Sequence, residues 1–120
     1  MNFIKCFALS VALLAGTLAA TPVLAHAKMQ MAMPAANSVG ASPKSIMVHF
    51  NEKVAAKLSG FEVTGPDGKT LALNPQVDKS GLMLIAKVDK PLAPGVYKVK
   101  WHAVAADGHR MTGDYSFTVK

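Results

Sequence analysis

The chain has 120 residues, with 13 Lys and Arg against 7 Asp and Glu for a formal net charge of +6, and a single cysteine. One cysteine allows no internal disulfide, so the fold must be held by one compact apolar core, or by a core and a metal. The lysines are scattered from Lys28 to Lys120 without basic–aromatic interleaving, which points to a solvated surface and away from a nucleic-acid partner.

Residues 1–25 read as a cleaved signal peptide. Met1 to Ser10 carry Lys5 and no acid, an apolar run follows from Phe7 to Ala20, and Thr21-Pro22-Val23-Leu24-Ala25 closes it. Val23 and Ala25 occupy the small-residue positions a signal peptidase needs, so cleavage is expected between Ala25 and His26. The run is short for a spanning helix and ends at Pro22, which argues against a permanent anchor. Cys6 precedes the apolar run, whereas a lipid-anchoring cysteine would follow it. Residues 26–120 are therefore expected to be one exported, periplasmic domain that is soluble and not membrane-embedded.

Alternation, not helical periodicity, is the repeated signal in that domain. His26 to Met33 forms a first strand. In Ser45 to Phe50, Ile46, Val48 and Phe50 share one face while Met47 and His49 share the other. Glu52 to Ser59 is a helical turn or a loop. Phe61 to Thr64 alternates and stops at the turn Gly65-Pro66-Asp67-Gly68. Thr70 to Leu73 is a short strand ended by Asn74-Pro75, and Leu82 to Val88 a longer one. Val96 to Val104 puts Tyr97, Val99 and Trp101 on one side and Lys98, Lys100 and His102 on the other. Tyr115, Phe117 and Val119 share one face of the last strand. The expectation is an all-β domain of about seven strands, a Greek-key barrel or sandwich.

Three features carry possible chemistry. His26, once it is the first residue, offers an α-amine and a ring nitrogen that close a chelate on one metal. Both lose protons near neutrality, with ordinary pKa values of about 8 and about 6.5. Nitrogen donors in a square arrangement suit Cu(II). Asp107-Gly108-His109 supplies a carboxylate and an imidazole at a spacing of two, with Gly108 free to bend the backbone so that they converge. A bland alternative stays open, in which Asp107 caps its own backbone and His109 is solvated. Met29, Met31 and Met33 also recur at a spacing of two. In strand geometry all three point to one face, where thioethers would favour Cu(I), though about 7 Å apart and so binding weakly. The competing reading packs Met29 in the core and leaves the others as surface residues. His49 and His102 read as solvent-facing, and Trp101 as core.

Trp101 to His109, followed by Gly113-Asp114-Tyr115-Ser116-Phe117-Thr118-Val119, resembles the C-terminal signature of CopC-type periplasmic copper-resistance proteins. A start at His26, the Pro34-Ala35-Ala36-Asn37-Ser38 turn, and Val48-His49-Phe50-Asn51-Glu52 followed by Ser59-Gly60-Phe61 match the same family in order. The resemblance implies a cupredoxin-like or immunoglobulin-like fold that binds Cu(II) without catalysing a reaction. It implies a ligand set of His26, Asp107 and His109 as the main Cu(II) donors, with Glu52 or water as another. It also implies an inner-membrane copper permease as partner. A methionine-rich loop seen in some members is replaced by Gly65-Pro66-Asp67-Gly68-Lys69.

A copper carrier or buffer serving homeostasis or resistance is the reading these residues favour. The competitors are a histidine-brace copper oxygenase and a metal-free immunoglobulin-like interaction module. The oxygenase reading is weakened because Asp107 and Glu52 can fill positions that oxygen would need.

Overall fold

The computed structural model describes residues 28–120, so the signal segment and His26 lie outside the described residues. Eight strands follow one another: β1 (Met29–Met33), β2 (Val39–Gly40), β3 (Ser45–Phe50), β4 (Gly60–Thr64), β5 (Gln76–Val77), β6 (Met83–Lys87), β7 (Gly95–Val104) and β8 (Arg110–Val119). They form two four-stranded sheets, ordered β1-β3-β6-β5 and β2-β8-β7-β4. The all-β sandwich expected from alternation is what forms. No helix among the described residues is long and apolar enough to cross a membrane.

The core lies between the sheets and comes from the inward half of each alternating strand. Ile46, Val48 and Phe50 meet Phe61, Val63, Leu84, Tyr97, Val99, Trp101, Phe117 and Val119, all buried. Phe50 of one sheet packs edge-on against Trp101 of the other, ring centroids 5.2 Å apart at 70°. Tyr97 and Phe117 stack within the second sheet at 5.4 Å. Trp101 and Gly113 are directly opposite in the β7–β8 ladder, and a Cβ at Gly113 would collide with the indole ring. The glycine thus leaves room for the ring to lie flat on the sheet.

Three elements differ from expectation, the first being β2, a short strand parallel to β8 that has no counterpart among the expected seven. Thr70–Leu73 does not form a strand; Thr70 makes one bridge to Thr64, and the neighbour of β6 is Gln76–Val77 instead. Pro75, expected to end a strand, stands immediately before one, where its missing N–H costs no ladder bond. The last strand is five residues longer than expected at its start, because pairing with β7 carries through Arg110–Asp114. The segment Glu52 to Ser59 contains a 3₁₀ turn at Ala56–Leu58, as expected.

Tyr115 is buried, and its hydroxyl has no hydrogen-bond partner among the described residues. Burial disfavours the phenolate and raises its pKa from 10.0 to about 12. The folded state therefore keeps a proton that the unfolded chain releases. This contribution to stability is complete below pH 10 and is lost as pH rises through about 12. Tyrosinate absorbance should show Tyr115 titrating late, together with alkaline unfolding. Ionisation of Tyr115 near pH 10 in the folded protein would contradict this environment.

Candidate metal centre

Strands β7 and β8 run as one unbroken antiparallel ribbon from Gly95↔Val119 to Val104↔Arg110. The turn at its tip is closed by backbone bonds from Gly108 N to Ala105 O (2.9 Å) and from Ala105 N to His109 O (3.0 Å). Gly108 has φ +88, in the left-handed region, and this bend, not extended spacing, turns Asp107 and His109 toward each other. Asp107 Oδ1 accepts a bond from the His109 backbone N–H at 3.0 Å. Its Oδ2 lies 2.8 Å from His109 Nδ1. Both side chains are solvent-accessible, at 61% for His109 and 46% for Asp107.

The two sequence alternatives for this motif therefore coexist. Asp107 caps its own turn through one oxygen and contacts the imidazole through the other. Two donors bound at right angles to one ion, each at 2.0–2.1 Å, would stand about 2.8–3.0 Å apart. The separation of Oδ2 and Nδ1 is already that of adjacent ligands.

The connection after β3 lies against the same end of the sandwich. Val54 bridges Ala105, and Ala55 N donates to Val104 O at 2.8 Å. Ser59 Oγ accepts from Val104 N at 3.1 Å. Glu52, half-buried, precedes this bridge by two residues. The beginning of β1 is fastened beside it: Lys28 N donates to Asn51 Oδ1 at 2.6 Å, and Asn51 N donates to Lys28 O at 3.1 Å. No three His, Cys, Asp or Glu side chains converge among the described residues. Glu52 shares the end of the sandwich with Asp107 and His109 without joining them in a cluster. Asn51 and Ser59, which fasten this end, enter the sequence reading only within the segments that match the family, with no role of their own.

The methionine triplet is not a single face. A register shift between Met29 and Met31, with Met29 opposite Phe50 and Met31 opposite His49, marks a β-bulge in β1. Met29 turns inward and packs on the core, and Ala32 is buried, whereas Met31 and Met33 are exposed on the outer face. The expectation that all three share one side is corrected by that extra residue. His49 and His102 lie on outer faces as expected. Sequence reasoning missed that His49 stands between Met31 and Met83 in one cross-strand row.

A CopC domain matches residues 29–120. Protein YobA of Escherichia coli (strain K12) is 37% identical over 114 residues, covering 92% of each chain. Copper resistance protein C of Escherichia coli is 33% identical over 107 residues, covering 81% of this chain and 83% of its own. Among solved structures, PcoC, a methionine-rich copper resistance protein from Escherichia coli, superposes with a TM-score of 0.72 at 32% identity. It covers 80% of this chain and 100% of its own.

The turn geometry can be checked directly. Replacing Gly108 by Val forces a β-branched residue into φ +88, and the left-handed conformation should cost about 1–2 kcal/mol. Gly108→Asn, which tolerates that region, should cost less. Chemical denaturation of the two variants measures the difference; equal stability of the Val and Asn forms would mean that this turn is not held as described.

Proposed function

The chain belongs to the CopC family of copper-binding proteins, and from that premise we propose that it is a periplasmic carrier or buffer holding Cu(II) through His26, Asp107 and His109. The observation that carries the reading is the 2.8 Å approach of Asp107 Oδ2 to His109 Nδ1 at an exposed hairpin tip. Nitrogen and oxygen donors at that spacing suit a square Cu(II) site.

Export and cleavage after Ala25 would make His26 the first residue and supply the missing donors, an α-amine and an imidazole. Lys28 is fastened to Asn51, next to Glu52, and two residues of chain span at most about 7 Å. That reach supports a third ligand arriving at this end of the sandwich, with Glu52 as an additional oxygen donor. The family resemblance extends the reading to copper resistance or homeostasis, with an inner-membrane copper permease as partner. An oxygenase with a histidine brace is less well supported, because the carboxylates of Asp107 and Glu52 would fill coordination positions that oxygen needs. The chain's membership in a family of copper-binding proteins that are not enzymes weighs the same way. It also weighs against a metal-free interaction module.

The free amine is the decisive donor. A protein retaining one extra residue ahead of His26 has an amide nitrogen there and loses the chelate. Its Cu(II) affinity should fall by more than the about 10–100-fold that disturbing a metal site's outer shell costs, with the apo-protein's unfolding midpoint unchanged. An extended protein that binds Cu(II) as tightly as the cleaved one would sink the proposal.

A ranked series tests the other ligands. His109→Ala should weaken Cu(II) most, Asp107→Asn less because shape is kept while charge is lost, and Glu52→Gln least. Binding should decline as the solution becomes acid, because protons compete with Cu(II) for its nitrogen donors. Copper absorbance followed from neutral to acid reads both; a His109→Ala protein matching the parent would remove the hairpin from the site.

A further inference from the structure

The bulge in β1 leaves the outer face of the first sheet with an unusual set of side chains. Across β1, β3 and β6, Met31 faces His49, and His49 faces Met83. In the next row Met33 faces Met47, and Met47 faces Ile85. Met31, Ala32, Met33, Met47, His49 and Met83 line one groove of about 240 Å³. Every side-chain heteroatom lining it is a thioether sulfur or an imidazole nitrogen, with no carboxylate, amide or hydroxyl among them.

Packing does not account for this set. The core beneath is already closed by Ala32, Val48 and Leu84. Met31 and Met33 are 57% and 53% exposed, so they bury little. Methionine favours helices, and strand surfaces ordinarily select β-branched and aromatic residues. Four methionines on three neighbouring strands go against both tendencies.

We propose that this groove is a second metal site, distinct from the hairpin tip, which binds Cu(I) through one cross-strand row, the thioethers of Met31 and Met83 on either side of the His49 imidazole, with Met33 and Met47 lining it from the next row. Soft thioether donors select Cu(I), and imidazole completes a set in which no hard oxygen competes. Along one strand, alternate residues stand about 7 Å apart, too far for two sulfurs to share an ion. Directly opposed residues on neighbouring strands have Cβ atoms about 4.5–5.5 Å apart. The unbranched methionine side chain, with three rotatable bonds, can lean over His49 from both sides. Met29 is excluded because it packs on the core.

The choice of copper as the cargo rests on the function proposed above, whereas the donor set itself stands independently of His26. The test uses Ag(I) as a redox-inert probe and Cu(I) under anaerobic reducing conditions, each competed against a chelator. Ag(I) should shift the methyl resonances of Met31, Met33, Met47 and Met83 and the ring signals of His49, leaving those of Met29 and Met111 in place. The combined variant Met31→Leu, Met47→Leu, Met83→Leu keeps apolar volume while removing sulfur. It should bind Cu(I) and Ag(I) at least about 10–100-fold more weakly and bind Cu(II) as the parent does. His49→Gln, on an outer face, should weaken both monovalent ions without a change in unfolding midpoint. Parent-like Ag(I) affinity in the leucine variant, or methyl shifts confined to Met29 and Met111, would overturn the site. The protein extended ahead of His26 separates the two readings: if it loses Cu(II) and keeps Ag(I), the groove is independent of the hairpin centre. If it loses both, the groove proposal fails.

Discussion

The ladder between β7 and β8 is the constraint on which the candidate metal centre depends. Its pairing runs without a register shift from Gly95↔Val119 to Val104↔Arg110, so Tyr97, Val99, Trp101 and Ala103 of one strand and Tyr115, Phe117 and Val119 of the other enter the core. Trp101 lies over Gly113 in this ribbon and against Phe50 of the opposite sheet. Because that contact joins the sheets, the turn at Asp107–His109 is carried by a close-packed scaffold. A short loop on such a scaffold can hold two exposed donors at a fixed separation without burying them.

The remaining parts of that end are fastened by backbone pairing. Val54 bridges Ala105, and Asn51 bonds Lys28 through both its backbone and its side chain. These contacts bring the start of β1, the connection after β3 and the hairpin tip to one end of the sandwich. Three segments distant in sequence meet there, and under the proposed function each contributes donors. The carboxylates of the proposed function, Asp107 and Glu52, belong to this end.

The outer face of β1, β3 and β6 has the opposite chemistry. Edge strands are commonly interrupted by bulges, and β1, at the edge of its sheet, is divided by one. Before the bulge, Met29 points to the core; after it, Met31 and Met33 join the outer face. One irregularity in an edge strand thus both anchors the chain's entry to the sandwich and creates a sulfur-lined groove. Under the two proposals, environments of different softness on one small domain would distinguish Cu(II) from Cu(I).

Much of this was legible in the sequence because alternation is a local property. The buried faces of Ser45 to Phe50, Val96 to Val104 and Tyr115 to Val119 follow from side chains pointing to opposite sides of a strand. The Asp107-Gly108-His109 turn was likewise readable, since its chemistry needs only neighbouring residues and a glycine able to adopt positive φ. The role of Glu52 came only from family resemblance, and His26 lies outside the described residues, so its place rests on the signal-peptide pattern. What tertiary structure alone decided was which strands lie side by side and in what register. The bulge before Met31 exists only relative to β3, and the choice of Gln76–Val77 over Thr70–Leu73 exists only relative to β6. Met31, Met33, Met47, His49 and Met83 are scattered through 53 positions of chain; they share a surface because non-local backbone hydrogen bonds align three strands, a relation that no local pattern encodes.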